Sequence, residues 1–192
     1  RASTNNSGDE GLPRAGSPAG RAKRAAGDPA LRIIGIDPGL ASVGYGILER
    51  SAGRLRYLDH GCVVTRKEEA MGGRLLAIFA AISDLIEEWE PGAASMESIY
   101  FWKNVSSALP VTEAKGVIRL AFARASVSLV EYSPTAIKQA VSGSARADKD
   151  QVQEMVRLIL GLKEIPKPDH AADALAAAIC LANHEGALAR FS

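Results

Sequence analysis

Residues 31–39 read LRIIGIDPG, an apolar run that ends in a carboxylate and continues directly into a Pro-Gly turn. The run predicts a buried strand over Leu31–Asp37, bounded by that turn. An ionised aspartate at the end of a buried strand costs several kcal/mol unless something pairs with it. Asp37 therefore either caps the turn, which is a common role for aspartate, or is a ligand of a metal ion.

The segments that follow predict the rest of one sheet. Val43–Glu49 and Leu55–Thr65 alternate as strands do, and Gly39, Gly44 and Gly53 mark turns, so the first three strands form an antiparallel meander. From Gly73 to Trp89 the apolar residues recur at helical spacing. Pro91-Gly92 ends that helix, and a short buried strand over Ala93–Ile99 contains Glu97.

The second half of the chain alternates helices with one more strand. Pro110 and Gly116 interrupt the first of these helices, so we expect a kink or a late start there. The resulting order of five strands and their helices predicts an α/β fold, a mixed sheet with helices on both faces. The predicted elements are a helix over Ser106–Arg124, a strand over Val127–Tyr132, and helices over Thr135–Val141, Lys149–Leu160 and His170–Asn183.

Composition places the chain among ordinary globular proteins. It has 192 residues, 47% of them hydrophobic, which suits one domain with a sizeable core. We expect no membrane span, because no apolar run reaches about 18 residues. No apolar segment near the start reads as a signal peptide. Cys62 and Cys180 lie far apart and form no CxxC pattern, which argues against structural zinc and favours a reducing, cytoplasmic environment.

The two ends differ from the middle. Residues 1–30 are rich in Gly, Ala, Ser and Pro and show no hydrophobic period, so we interpret them as a disordered tail, a processed end or an expression remnant. Their basic cluster leaves a weak DNA-tethering arm as the alternative. We assign 31–186 to the folded domain and 187–192 to a short C-terminal tail. Residues 31–192 hold 18 basic and 19 acidic residues, so any nucleic-acid contact needs a local basic patch.

Acidic residues interrupt apolar segments at three places: Asp37, Glu97, and the segment Asp169–Asp173, which reads DHAAD. Glu97 stands in a strand that should be buried, whereas Asp169 follows a proline and could be an N-cap. Asp173 could simply complement the helix dipole, although His170 and Asp173, at i,i+3, share a helix face. Together the three places favour a hard divalent cation, Mg²⁺ or Mn²⁺. Two such ions about 4 Å apart could catalyse phosphodiester hydrolysis.

The same three segments, in the same order, resemble the signatures of the RuvC family of bacterial Holliday junction resolvases. They read GIDPG at 35–39, ESIYFWKN at 97–104 and DHAADAL at 169–175, and the likeness runs from about Arg32 to His184. The resemblance implies a ribonuclease-H-like fold and a homodimer.

The resemblance also implies four metal-binding and catalytic positions: Asp37, Glu97, His170 and Asp173. Asp169 is the alternative to His170, because Asp169 and Asp173, at i,i+4, also share a face. We assign His170 to the matching position and Asp169 to the cap. We expect two ions per site. Imidazole suits Mn²⁺ better than Mg²⁺, so we also expect higher activity with Mn²⁺. Alternatively, His170 acts as a general base toward the attacking water.

Five residues are candidates for DNA contact: Tyr100, Lys103, Lys138, Arg146 and Lys149. Tyr100 matches the family's aromatic residue at the junction centre and could stack on an unpaired base, although strand-end packing would also explain it. Lys138 and Lys149 match phosphate-contacting positions, whereas a lone lysine is usually just solvated. Asp148 and Gln151 read as a capping box at Lys149, and Arg146 and Lys103 could extend the basic patch.

The implied function is metal-dependent resolution of four-way DNA junctions. A dimer would nick two strands of like polarity symmetrically, leaving 5′-phosphate and 3′-hydroxyl ends, with Ser106–Arg124 as the expected dimer helix. The resemblance implies that the protein acts together with the branch-migration proteins RuvA and RuvB at the nucleoid. The alternatives are another ribonuclease-H-like nuclease, a non-cleaving junction-binding scaffold, and an actin-like ATPase, for which the chain is too short.

Overall fold

The computed structural model describes residues 30–98 and 105–188. Five strands and five helices lie in these residues, and their order along the chain agrees with the sequence pattern. They are β1 (Leu31–Asp37), β2 (Ser42–Ser51), β3 (Arg54–Val64), α1 (Met71–Trp89), β4 (Ala93–Glu97), α2 (Val105–Arg124), β5 (Ser128–Tyr132), α3 (Pro134–Ser142), α4 (Lys149–Leu160) and α5 (Asp169–Leu188).

The five strands form one mixed sheet in the order β3-β2-β1-β4-β5. β1 and β3 each pair antiparallel with β2, which is the predicted meander, while β4 runs parallel to both β1 and β5. The parallel register pairs Ile36 with Met96. The next residue on each strand is an acid, so Asp37 and Glu97 end neighbouring central strands at the same edge of the sheet.

Helices cover both faces of the sheet, as predicted. On one face α1 and α2 pack large aliphatic and aromatic side chains, such as Ile82 and Phe122, against Ile34 and Met96. On the other face α3, α4 and α5 bury a second cluster, to which α5 contributes a continuous run of buried residues over 175–182. Burial of the two clusters supplies the main driving force for this fold.

Helix α5 packs unusually close to the sheet because three glycines, Gly35, Gly44 and Gly46, lie beneath it. A Cβ on Gly35 would lie 2.0 Å from the carbonyl oxygen of Ala174, and one on Gly46 would lie 2.6 Å from the Leu175 side chain. No side chain fits such gaps, so glycine is required for the helix to rest directly on β1 and β2. The start of α5 is thereby held against the strand ends.

Several boundaries differ from those predicted. α2 runs continuously through Pro110 from Val105, so the helix does not start late at the proline. α5 begins one residue before His170 and extends past Asn183 to Leu188. The capping box of α4 is confirmed, because Asp148 and Gln151 exchange side-chain and backbone hydrogen bonds. Within the described residues, no helix has both the length and the hydropathy that a membrane crossing requires.

Candidate metal centre

Three side chains predicted as ligands converge at the carboxyl end of β1. Asp37, His170 and Asp173 each offer a ligand atom, and these atoms all lie within 4.8 Å of one another. Asp37 comes from the end of β1, His170 from the first turn of α5, and Asp173 from one turn further along that helix. The Nδ1 atom of His170 lies 2.6 Å from Oδ2 of Asp37, a hydrogen-bond distance. The fold thus brings together residues 133 positions apart in sequence.

Gly44 allows His170 to reach that position. A Cβ at residue 44, on β2, would lie 2.0 Å from the carbonyl oxygen of His170 and 3.0 Å from its Cβ. Contacts that short do not occur, so any larger residue must push the first turn of α5 away from the sheet. The glycine in the second strand is therefore part of the geometry of the site.

Glu97 lies beside this group rather than within it. Burial raises its pKa to about 7, and the negative charges of Asp37 and Asp173 add to that rise. Lys115 and Lys138 act in the opposite direction, but they do not outweigh the other causes. Glu97 therefore shares the electrostatic environment of the cluster, although it is not among the three most closely grouped residues.

The pKa of Asp37 is also raised above its ordinary value, as that of Glu97 is. Burial raises its pKa, the hydrogen bond from His170 lowers it, and the charge of Asp173 raises it again. Carboxylates grouped so closely that their negative charges repel, with one imidazole beside them, form the oxygen-rich donor set that a hard divalent cation stabilises. The donor chemistry therefore fits Mg²⁺ or Mn²⁺ and does not resemble a thiolate site.

Asp169 lies near the site but points to a different partner. The structure places it within the first turn of α5 rather than before it, since Ala171 N donates to the carbonyl of Pro168. Lys149 Nζ lies 3.1 Å from Oδ2 of Asp169 and 3.3 Å from Oδ2 of Asp173. The prediction of Asp169 as an N-cap is thus corrected, because its carboxylate pairs with Lys149 across to α4.

An open cleft of about 270 Å³ adjoins the cluster. Glu97 and Asp173 form its acidic side, while Lys138 and Lys149 form its basic side, and Ile137 and Val152 contribute apolar walls. Two of the predicted cationic contacts therefore line a cleft beside the acids, which is the charge pattern needed to hold a phosphate next to a metal ion.

The remaining predicted DNA contacts are placed differently. Arg146 is exposed in the turn before α4 and is absent from the lining of the cleft. Tyr100 and Lys103 lie outside the described residues. Among the described residues, Arg146 shows no contact with the acidic cluster.

Two residues near the site were missed by the sequence reasoning. The first is Lys115 of α2, whose nearly buried Nζ donates to the carbonyl oxygen of Glu97 at 3.1 Å and to Oε2 of Glu131 at 2.9 Å. The available signal was its position on the inner face of the helix, between the buried Ala114 and Ile118. A lysine there requires a partner.

The second missed residue is Thr65, which follows β3. Its hydroxyl donates to the carbonyl oxygen of Leu40 at 2.6 Å and accepts from Nε of Arg74 at 2.9 Å. Its backbone N–H also donates to the carbonyl oxygen of Ala41 at 3.0 Å. These bonds fix the loop that leaves Asp37, and nothing in the local sequence distinguishes this threonine from any other strand residue.

Comparison with known proteins gives a consistent family. The model of the family "Crossover junction endodeoxyribonuclease RuvC" matches residues 33–181. The chain is 54% identical over 151 residues to the RuvC crossover junction endodeoxyribonuclease of Treponema denticola, covering 79% of this chain and 85% of that protein. The corresponding protein of Chloroflexus aggregans is 48% identical over 161 residues, covering 84% and 98%.

Solved structures agree with the fold. Thermus thermophilus RuvC in complex with a Holliday junction substrate superposes with a TM-score of 0.77 at 35% identity, covering 81% of this chain and 94% of that one. The yeast mitochondrial Holliday junction resolvase Ydc2 superposes with a TM-score of 0.63 at 15% identity, covering 84% and 81%, which supports the fold alone. The predicted ribonuclease-H-like sheet is thereby confirmed, and the chain belongs to the RuvC family of crossover junction endodeoxyribonucleases.

Proposed function

We propose that this chain cleaves four-way DNA junctions at the site formed by Asp37, Glu97, His170 and Asp173. The observation that carries the proposal is the convergence of Asp37, His170 and Asp173 within 4.8 Å, beside Glu97, in a chain of this family. The junction as substrate is supported by the Thermus thermophilus relative, which is described as bound to one. We infer that 31–186 is the nuclease domain.

RuvC nucleases depend on divalent metal ions, and the donor set suits that requirement. A divalent metal at the site would supply a Lewis acid and a water-derived nucleophile at neutral pH. Asp37, Glu97 and Asp173 would contribute carboxylate oxygens, and His170 would contribute an imidazole nitrogen. We propose two ions per site, and a preference for Mn²⁺ because of the imidazole.

The chain's own residues prepare the site for the scissile phosphate. Asp37 orients the His170 ring through the 2.6 Å hydrogen bond, which fixes the direction of the second ring nitrogen. Lys149 sits between the acids and the cleft, so a phosphate entering there meets a cation that is already placed. Lys138 lines the same cleft. The products would be a 5′-phosphate and a 3′-hydroxyl.

Further contacts with DNA are proposed from the resemblance. Tyr100 would stack on an unpaired base at the junction centre, and Lys103 and Arg146 would contact phosphates to either side. RuvA and RuvB would present the junction to the nuclease.

We also propose that the protein acts as a homodimer through α2. Leu109 and Leu120 on this helix are 57% and 59% exposed, and three turns of helix place them on one face. Gly116 lies between them with open space around it, so a second helix could approach closely. A two-fold dimer would match the two-fold symmetry of a four-way junction and explain paired nicks.

A junction-cleavage assay tests the proposal. A labelled four-way junction would be mixed with the protein with and without Mn²⁺, and wild type would be compared with Asp37→Asn and with Asp84→Asn, an exposed acid on α1. We expect paired nicks by wild type and Asp84→Asn only with metal, and a loss of roughly 100-fold or more for Asp37→Asn with junction binding retained.

Two results would overturn parts of the proposal. Cleavage by Asp37→Asn at the wild-type rate would rule out this metal site. Binding without cleavage by the wild type in every metal would leave a junction-binding scaffold as the function.

A further inference from the structure

Lys115 is the buried cation nearest to the proposed ligand Glu97. Its side chain is 5% exposed and lies on the inner face of α2. The ammonium has two bonded partners, the backbone carbonyl of Glu97 and the carboxylate of Glu131. Arg119, one turn further along α2, donates to the other oxygen of Glu131 at 2.7 Å.

The ion pair is well satisfied. Burial works to raise the pKa of Glu131, but hydrogen bonds from Lys115 and Arg119 outweigh it, so the pKa lies below its usual range. Ion pairs of this kind can often be replaced by apolar side chains without loss of stability, so stability alone is a weak reason for a buried lysine. The second bond of Lys115, to Glu97, gives a more specific reason.

That bond is made at the point where β4 leaves the sheet. Glu97 is the last residue of β4, and Ser98 N donates to the carbonyl of Tyr132 at 2.8 Å as the final link to β5. The backbone carbonyl of Glu97 is fixed from α2, while its carboxylate interacts with the charges of Asp37 and Asp173 and lines the same cleft as Asp173. The Glu97–Ser98 peptide is thus held on both sides, its N–H by Tyr132 of β5 and its carbonyl by Lys115 of α2. Loss of the Lys115 bond would leave one hydrogen bond to resist a rotation that moves the carboxylate.

We propose that Lys115 is a positioning residue of the metal site, holding the last peptide of β4 so that the Glu97 carboxylate stays directed at Asp37 and Asp173. This inference rests on the proposed role of Glu97 as a ligand. The lysine acts through the backbone and touches neither metal nor DNA.

Direct measurement of Mn²⁺ affinity, without DNA, tests this. Isothermal titration of the full chain with Mn²⁺ would compare wild type with Lys115→Met, Glu131→Gln and the double variant. Lys163→Met, at an exposed lysine after α4, is the matched control. Junction affinity in EDTA would be measured in parallel, since a positioning role for metal leaves it unchanged. The double variant removes the lysine and the carboxylate it pairs with together, so it controls for any stability lost with that ion pair in Lys115→Met, where Glu131 keeps only Arg119.

We expect Lys115→Met and the double variant to bind Mn²⁺ roughly tenfold more weakly than wild type. Glu131→Gln, which keeps the bond to Glu97, and Lys163→Met should bind it as wild type does. A folded double variant with wild-type Mn²⁺ affinity would overturn the inference. So would failure of the double variant to fold, because it would make the ion pair a structural requirement.

The Glu97→Gln variant distinguishes the ligand role of Glu97 from the positioning role of Lys115. If it binds Mn²⁺ as tightly as wild type, the proposed ligand set is wrong and Lys115 has nothing to position. If Glu97→Gln loses affinity while the double variant does not, the ligand set stands and the positioning role fails.

Discussion

The proposed metal site has two halves that differ in how they are held. Asp37 and Glu97 end adjacent strands and are largely enclosed, and each has a raised pKa because burial disfavours its charge. His170 and Asp173 come from the N-terminal end of α5 and are more open, with 51% of the His170 side chain exposed against 15% of Asp37. The strand half is therefore suited to provide affinity for a cation, and the helix half to select which cation.

The difference extends to the packing behind each half. The helix half is placed by steric contact, because α5 rests on glycines with almost no intervening side chains. The strand half is placed by polar bonds, from Lys115 to Glu97 and from Thr65 to the loop that leaves Asp37. Predictions about the two halves therefore differ in kind.

Gly44→Ala should produce the largest change, because it breaks the steric support of the helix half. The new Cβ must displace the first turn of α5, at a cost of about 3 kcal/mol in unfolding free energy. A shift of His170 by about 1 Å should lower the cleavage rate roughly 100-fold. Thermal unfolding and single-turnover cleavage measure both effects.

Gly73→Ala is the control for that change. Gly73 lies in α1 with open space around it, so alanine there should leave cleavage unchanged and slightly raise stability. If Gly44→Ala behaved like Gly73→Ala, α5 would not be positioned by contact with β2.

Replacing His170 tests the selective role of the helix half. His170→Asp substitutes a harder oxygen ligand for imidazole, so the ratio of the cleavage rate in Mn²⁺ to that in Mg²⁺ should fall, by roughly tenfold. Asp169→Asn is the matched change at the neighbouring position and should leave the ratio unaltered, because Asp169 pairs with Lys149. A ratio that changes only in Asp169→Asn would make Asp169 the fourth ligand.

The smallest expected effect is on the pH dependence of stability, measured without metal, and it comes from Glu97 in the strand half. The folded-state pKa of Glu97, about 7, is above its ordinary value of 4.5, so the folded protein holds this proton more tightly than the unfolded chain. Its stabilising contribution is present below pH 4.5 and is lost as pH rises through 7. In EDTA, the melting temperature of wild type should therefore decline more between pH 5 and 8 than that of Glu97→Gln. Parallel curves for the two proteins would show that Glu97 is not destabilised by its surroundings.

Much of this arrangement could be predicted from sequence because its signals are local. The apolar run ending at Asp37, the helical spacing in α1 and the capping box at Asp148 each depend on neighbouring residues, and the structure has all three. The RuvC-like segments then indicated which acids belong together. Boundaries were less predictable, as at Pro110, because packing of α2 against the sheet overrides the local effect of proline.

The residue roles that could not be predicted from the sequence depend on contacts between distant segments. Lys115 meets Glu97 only after α2 folds back on the sheet, and Thr65 meets Leu40 only once the meander is formed. Gly44 reads as a turn residue in the sequence, yet it lies within β2 and its role is to admit a helix that begins 125 residues later. Asp169 reads as a cap because the lysine that pairs with it is on another helix.

Direct Mn²⁺ binding tests the central claim, that the strand-end carboxylates and the start of α5 form one metal site. Calorimetric titration of wild type, Asp37→Asn and the surface control Asp84→Asn would be made without DNA. We expect two ions per chain for wild type and Asp84→Asn, and an affinity lowered by roughly 100-fold in Asp37→Asn. Equal affinity and stoichiometry in all three proteins would contradict it.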